Sequence, residues 1–233
     1  MFVFMNELLT NRIEKRFRTG KGEELLKILK DNYSEIYHNK INIETKIITI
    51  YFNTEEGLDN ESTIRCKVYC NDVLNDTNIE NAPCDLQTKV GDSNDGITVI
   101  KERYSTYGEV ISKLSTISNS KYNTNSGIMK CIKNMTNNKN VFPYMKIYYS
   151  RQYFVGKVEK KEARITLDKD IVFENCKNEK KVSFNEYVME VKMEIDDEYN
   201  ENRVNYNIKQ AFKGINLQNS TSKKLIGYNM IMW

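Results

Sequence analysis

Seven short stretches of the chain carry charged residues at every second position, with mostly apolar residues between them. Successive side chains of a β-strand point to opposite faces, so each stretch predicts a strand with one apolar and one charged face. In the last stretch Glu190, Lys192 and Glu194 share one face, and methionine, valine and isoleucine occupy the other. The seven stretches are Ile13–Arg18, Thr63–Cys70, Leu86–Val90, Thr98–Tyr104, Lys146–Phe154, Ala163–Asp170 and Tyr187–Ile195.

An eighth strand, Ile47–Phe52, is mostly apolar, which predicts burial on both sides. Four segments have helical spacing of apolar residues: Gly20–Tyr37, Tyr107–Ile117, Gly127–Met135 and Ser222–Trp233. In the last of these, the residues expected to pack on the body are Leu225, Ile226, Met230 and Trp233. The acidic run Asp196–Arg203 is expected to be solvated. Many strands without regular βα alternation predict an α+β fold with a mainly antiparallel sheet.

The charged faces suggest a binding site if they turn toward one another. Arg or Lys repeatedly lies two residues from another charged side chain, as in Arg65 with Lys67 and Lys101 with Arg103. Such faces would line a basic cavity with a few carboxylates, which suits a polyanion and a divalent metal. The sheet must then close or nearly close, and about eight strands leave room for one small ligand. The alternative is the solvated face of a half-exposed sheet.

Composition narrows the possibilities. A chain of 233 residues with two prolines and no evident linker predicts a single domain over residues 1–233. The net charge of +3 is too small for a globally basic nucleic-acid binder. Five cysteines without a CxxC pair indicate free thiols, and no window suggests a signal peptide or membrane span, so a soluble, intracellular, cytoplasmic protein is expected. The single histidine, His38, argues against Ser-His or Cys-His chemistry.

Read in order, the strands resemble the polyphosphate polymerase domain of the vacuolar transporter chaperone (VTC) family, a branch of the triphosphate tunnel metalloenzymes. The similarity spans about residues 12–227. Its sharpest motifs are KERY, the Tyr-x-Arg strand, RITLDKDI and EVK. The segments that carry it are Arg12–Arg18, Tyr51–Thr54, Ile64–Tyr69, Leu86–Val90, Val99–Ser105, Tyr148–Phe154, Ala163–Ile171, Val188–Glu194 and Ser222–Gly227.

The resemblance implies a closed or nearly closed, antiparallel eight-stranded β-barrel with flanking helices, whose basic tunnel holds a triphosphate. It implies that Glu190 binds Mn²⁺ or Mg²⁺, helped by Glu194 and Glu14. Arg151, Arg164 and Lys223 are the predicted catalytic residues. The implied phosphate-binding residues are Arg16, Arg65, Lys67, Lys89, Lys101, Arg103, Arg151, Arg164, Ser222 and Lys223. Arg151 and Arg164 alternatively form structural ion pairs with Asp168 or Glu190.

The chain departs from the family pattern at three places. Gln87 stands where the family often has Glu, Lys67 replaces an Arg, and Ser220 and Thr221 precede the Ser-Lys pair where a basic residue is expected. A lysine is a point charge, whereas an arginine is a planar fork of donors. These departures weaken the inference of polymerase activity more than that of the tunnel.

The predicted function is metal-dependent phosphoryl transfer on a triphosphate, with polyphosphate synthesis from ATP as the first choice. Phosphoryl transfer needs positioning and charge neutralisation more than covalent chemistry by the protein. The alternatives are hydrolysis of a nucleoside, inorganic or RNA 5′ triphosphate, and a polyanion-binding module without turnover. RNA 5′-triphosphatases use Glu-x-Glu pairs, which Arg16 and Lys192 interrupt here. The partners expected are therefore ATP or another triphosphate, a polyphosphate chain, and as an alternative an RNA 5′ end.

Overall fold

The computed structural model describes residues 12–36, 44–58, 62–70, 79–92, 96–119, 125–158, 160–194 and 201–231. The chain forms two compact units. Among the described residues, unit one comprises those of 47–147 and 174–180, and unit two those of 9–46, 148–173 and 181–233. His38, Ile195 and Trp233 lie outside the described residues, so the expectations on them stay predictions.

Among the described residues, eight strands of eight residues or more correspond to the seven that the alternation predicts and the apolar eighth. They are β1 (Arg12–Thr19), β3 (Thr45–Asn53), β4 (Thr63–Cys70), β5 (Cys84–Asp92), β6 (Gly96–Tyr104), β7 (Phe142–Val158), β8 (Lys161–Asn175) and β10 (Tyr187–Glu194). Three shorter strands complete the set: β2 (Ser34–Ile36), β9 (Lys181–Phe184) and β11 (Gln218–Asn219). The helices are α1 (Gly22–Asn32), α2 (Tyr107–Ser115), α3 (Gly127–Met135), α4 (Glu201–Ala211) and α5 (Lys223–Ile231).

The prediction of an α+β fold with an antiparallel sheet is confirmed, but the prediction of a closed or nearly closed eight-stranded barrel was wrong. The described strands number eleven and pair in the order β11-β1-β10-β8-β7-β3-β4-β5-β6, with β2 on β7 and β9 on β8. Within the described ranges this order does not close. The difference in number comes from three strands of two to four residues, which are too short to show a periodic pattern.

In unit two, one face of the sheet β1-β10-β8 is packed and the other is charged. The register pairs Phe17 with Met189 and Met189 with Leu167, so these side chains share a face. They belong to a buried cluster that also includes Leu25 of α1 and Ile208 of α4. The charged residues of the same strands therefore point away from this core.

In unit one, the apolar face of β4, β5 and β6 is covered by α2 and α3. Cys66 is paired with Leu86, and both are fully buried. From α3, Ile128, Met129 and Ile132 are buried as well. The Thr88 hydroxyl lies 3.7 Å from Cys131 Sγ, and Ser126 Oγ donates to Glu102 at 2.6 Å, which fixes α3 over this face. The basic residues of these strands again lie on the opposite face.

Three segments differ from the sequence prediction. The helix predicted over Gly20–Tyr37 ends at Asn32, and Ser34–Ile36 forms β2 instead. Helix α4, which begins at Glu201 and buries Val204 and Ile208, was not predicted, although Asn202 and Arg203 in the run expected to be solvated are exposed. At the other end of unit two, α5 leaves Leu225 47% exposed, so the expected packing of Leu225 was wrong. No helix among the described residues has the length and apolar character that crossing a bilayer requires.

Gly22, the first residue of α1, lies against the ring of Tyr187. A Cβ at this position would come within 2.2 Å of three Tyr187 ring atoms, whereas a Cβ at Gly20 would meet nothing within 4 Å. We expect Gly22→Ala to lower the free energy of unfolding by about 1–3 kcal/mol, because the ring or the helix must shift. Urea denaturation of Gly22→Ala beside Gly20→Ala measures this effect. Equal midpoints for the two variants would contradict the close packing of Tyr187 on α1.

Candidate functional site

The charged face of unit two gathers most of the residues that the sequence singles out there. The register pairs Arg16 with Glu190 and Glu14 with Lys192, and on the other side of β10 it pairs Lys192 with Arg164. Directly paired residues of neighbouring antiparallel strands project to the same side. The structure thus places four predicted site residues, Glu14, Arg16, Arg164 and Glu190, on one surface with Lys192.

Four of these side chains form a continuous chain of alternating charge. Arg16 Nε donates to Glu190 Oε2 at 3.0 Å, and Lys192 Nζ lies 2.8 Å from Glu190 Oε1. Lys192 also lies 2.9 Å from Glu14 Oε2, and Arg16 pairs with Glu14 as well. Each cation therefore bridges both carboxylates. This arrangement holds Glu14 and Glu190 next to one another, although they are distant in the sequence.

Glu190 remains ionised in this setting. Burial by itself raises the pKa of Glu190, but four nearby cations outweigh that effect and hold the pKa well below its usual value. These cations are Lys192, Arg151, Arg16 and Lys223. A carboxylate surrounded by cations is suited to accept a metal ion without first losing a proton.

Next to this chain lies a buried trio of Arg151, Asp168 and Lys223. Asp168 is fully buried and accepts from Arg151 Nε at 2.5 Å and from Arg151 Nη2 at 2.7 Å. Lys223 Nζ donates to the same carboxylate. The alternative that Arg151 pairs with Asp168 is thus realised. The predicted catalytic cations Arg151 and Lys223 share one buried counter-charge.

Opposing influences set the protonation of this trio. Burial raises the pKa of Asp168, but Arg151 and Lys223 outweigh it, so the pKa lies below the ordinary value. For Lys223, burial lowers the pKa, while Asp168 acts in the opposite direction and the net shift is downward. The pKa of Arg151 is raised because Asp168 outweighs the effect of burial. Asp168 thus lies in contact with two basic side chains, and burial acts against the charged form of each member of the trio.

Three predicted residues of unit two lie outside this trio, namely Arg164, Ser222 and Glu194. Arg164 is exposed on β8. Ser222 precedes α5 and accepts from the backbone N–H of Leu225 at 3.3 Å, so its hydroxyl caps the helix that begins at Lys223. Glu194 is paired in register with Arg12 at the end of β10, and its predicted role as a metal ligand stays a prediction.

Unit one presents a second basic face. The register of β4, β5 and β6 brings six predicted or noted residues to one side, namely Arg65, Lys67, Gln87, Lys89, Lys101 and Arg103. Arg65 Nε donates to Gln87 Oε1 at 3.0 Å. Gln87, which stands where the family often has Glu, therefore still accepts a hydrogen bond from this arginine. The predicted grouping of these residues by alternation agrees with the register.

A buried aspartate also lies within this face. Asp85 accepts from the Tyr69 hydroxyl at 2.6 Å and from Lys101 Nζ at 2.9 Å, and Arg103 Nε is 3.8 Å from its other oxygen. Sequence reasoning did not single out Asp85 or assign Asp168 to the site. Asp85 lies two residues from Gln87 and Asp168 four residues from Arg164, so both lie on the charged faces of their strands. The two-residue alternation could therefore have indicated them as site residues.

The donor set fits a divalent cation that phosphate oxygens help to hold. Among the described residues no group of three or more His, Cys, Asp or Glu side chains could hold a metal by itself. Glu14 and Glu190 nevertheless provide two adjacent carboxylates. Mg²⁺ in phosphoryl-transfer enzymes is typically bound by one or two carboxylates together with substrate phosphates. The residues thus suit a metal that arrives with a triphosphate.

Comparison with solved structures defines the class of fold. A putative adenylyl cyclase from Hippeastrum, whose structure is described as revealing a dominant triphosphatase activity, matches with a TM-score of 0.58 and 14% identity over 95% of this chain and 96% of its own. A putative adenylate cyclase from Bacillus halodurans matches with a TM-score of 0.54 and 11% identity over 96% and 100% of the respective chains. At these identities the likeness establishes the fold.

The family follows from the sequence. The VTC domain model matches residues 9–229, and the chain therefore belongs to the VTC domain family. This confirms the resemblance that the strand motifs indicated. Comparison with curated proteins gave no match.

Proposed function

We propose that the chain is a metal-dependent enzyme that transfers the γ-phosphoryl group of a triphosphate, with ATP as donor and a polyphosphate chain as acceptor. The observation that carries the proposal is an ionised Glu190 that contacts Arg16 and Lys192 and lies near Arg151 and Lys223 on the charged face of unit two. Membership of the VTC domain family supports it. A triphosphate carries several negative charges, which match the excess of Arg and Lys on this face.

In the proposed reaction, the terminal oxygen of the acceptor chain attacks the γ-phosphorus of ATP. The bond between that phosphorus and the β–γ bridging oxygen breaks, and the electron pair leaves on ADP. A divalent metal, when bound, neutralises charge that develops on the phosphate oxygens. Glu190 and Glu14 would hold that metal.

The residues of the chain supply binding and orientation. Arg16 and Lys192 keep Glu190 ionised and in place through contacts of 3.0 and 2.8 Å. Arg151 and Lys223 offer donors in a largely buried setting, where charge-assisted hydrogen bonds are strong. Arg65 and Lys101, on the basic face of unit one, are further cations of the kind that binds phosphate.

Hydrolysis is the second candidate, because the same residues would serve water as acceptor. The specific observation in its favour is the shared fold with the Hippeastrum protein, whose described activity is triphosphatase. Polymerase and hydrolase differ in the acceptor, so the products distinguish them.

The test is incubation of the purified chain with ATP and Mn²⁺, followed by gel analysis of phosphate chains and by measurement of free phosphate. A polymer that a polyphosphatase degrades is the expected result. Free phosphate alone would identify a hydrolase, with inorganic triphosphate and triphosphate-ended RNA as the next substrates. Neither product, with or without metal, would overturn the proposal in favour of a polyanion-binding module.

A further inference from the structure

Asp168 is the most completely buried charge on the charged face of unit two. Its carboxylate is inaccessible to solvent and receives the Nε and Nη2 of Arg151 and the Nζ of Lys223. Both partners are predicted phosphate-binding residues. The contact of Asp168 with these two cations has two opposite interpretations. Asp168 can hold the cations in position, or it can reduce the positive charge that attracts phosphate.

The donor geometry of Arg151 distinguishes these interpretations. A guanidinium group has five N–H donors arranged on two edges. Asp168 occupies the edge formed by Nε and Nη2, at 2.5 and 2.7 Å. Both N–H groups of Nη1 and the second N–H of Nη2 are not used by this carboxylate. Arg151 can thus bind Asp168 through one edge and a phosphate through the other.

Two aromatic rings restrict Arg151 further. Its guanidinium carbon lies 5.2 Å from the centre of the Tyr149 ring and 5.9 Å from that of Tyr153. Lys223 Nζ lies 4.3 Å from the same Tyr149 ring. The two cations therefore share one ring and one carboxylate. Without the charge of Asp168 they would repel one another at close range.

We infer that Asp168 is a positioning residue for the triphosphate: it fixes Arg151 by one edge of the guanidinium and holds Lys223 beside it, so that the remaining donors meet the phosphates. This inference rests on the proposed function, since it takes a triphosphate as the ligand. Asp168 acts through Arg151 and Lys223 and does not itself contact the substrate. Its negative charge opposes phosphate binding at long range, but the geometry it imposes outweighs that repulsion.

Binding of inorganic tripolyphosphate to Asp168→Asn tests the inference by the sign of the change. The substitution keeps the shape of the side chain and removes one negative charge. A positioning role predicts affinity about 10-fold weaker than wild type, the scale found when a supporting partner of a ligand-binding group is lost. A role limited to reducing charge predicts tighter binding. Calorimetric titration measures the affinity, and Asp170→Asn, at an exposed position two residues away, is the matched control.

A double-mutant cycle separates positioning from general structure. If Asp168 acts through the guanidinium edge, Asp168→Asn has little further effect on tripolyphosphate affinity in an Arg151→Lys background. A merely structural role gives additive losses in the cycle, which would overturn the inference. Thermal unfolding of each variant shows whether the protein used in the titration is folded.

If Asp168→Asn does not fold, a charge-balanced pair of variants provides the test. The double variant Asp168→Asn/Lys223→Met has the same formal trio charge of +1 as wild type, whereas Lys223→Met alone has a formal trio charge of zero. The inference requires the double variant to bind tripolyphosphate more weakly than Lys223→Met, despite its extra positive charge. Equal or tighter binding would overturn it. Failure of the wild-type chain to bind tripolyphosphate would instead overturn the proposed function.

Discussion

Replacing Glu190 by Gln should reduce metal-dependent turnover of the triphosphate by at least about 100-fold. The substitution keeps the size of the side chain but removes the charge that would bind the metal, and loss of even a supporting group at a metal site typically costs 10–100-fold. The contacts of Glu190 with Arg16 and Lys192 are partly exposed, and Glu14 remains as a partner of both cations. The fold should therefore be retained.

The measurement is the rate of ATP consumption over a range of Mn²⁺ concentrations, with thermal unfolding as the check on folding. Glu186→Gln is the matched control, because Glu186 pairs with Arg18 at 3.3 Å outside the chain of alternating charge. The control should turn over at the wild-type rate. Turnover of Glu190→Gln at the wild-type rate and metal concentration would refute the assignment of Glu190 as the ligand.

Replacing Arg151 by Met should lower the free energy of unfolding by about 3 kcal/mol at neutral pH. Removing one member of a buried ion pair leaves an uncompensated charge, which costs about 3–5 kcal/mol. The lower end applies here because Lys223 still contacts Asp168. Arg18→Met is the control, since Arg18 and its partner Glu186 are substantially exposed, and such pairs contribute about 1 kcal/mol or less.

The effect of Arg151→Met should depend on pH in a defined direction. The pKa of Asp168 is lowered in the folded chain, so its ion pairs stabilise the protein above the ordinary carboxyl pKa and lose that effect as pH falls through the folded-state pKa. In the variant, one cation fewer offsets the effect of burial, so the pKa of Asp168 is higher than in the wild type. The stability difference between the two proteins should shrink as the solution becomes acidic. Urea denaturation at neutral and at acid pH measures it, and a constant difference would argue against an ionised pair of Arg151 and Asp168.

Much of the fold was predictable because its signal is local. The two-residue alternation predicted seven of the eight long strands, and apolar composition predicted β3. In β10 the alternation also predicted which residues face the core, such as Met189 and Val191. Helix α3 has the predicted bounds of Gly127–Met135. These features depend on side-chain direction within a few residues, which a sequence displays directly.

Helix α4 shows where local reasoning failed. Its sequence is rich in Asn, a poor helix former. Val204, Ile208 and Phe212 recur at intervals of four and are completely buried in unit two. Packing of that stripe decides the outcome, because tertiary burial commonly outweighs helix propensity. The spacing was visible in the sequence, but the charged residues before it suggested a solvated run.

The partners of the site residues depend on strand pairing. Nothing near Glu190 in the sequence indicates that Arg16, 174 positions away, donates to it. The same holds for Asp168, which acquires its role only when β7, β8 and the start of α5 bring Arg151 and Lys223 to it. The register between strands, not the pattern within them, fixes these contacts.

The sequence by itself determined the strand elements, the residues on each charged face and the VTC family, because alternation and ordered motifs are properties of the chain alone. Only the tertiary structure decided that the described strands number eleven, that α4 exists and that Leu225 is exposed. It also decided which cations lower the pKa of Glu190 and of Asp168, because burial and charge pairing arise between residues that are distant in the chain.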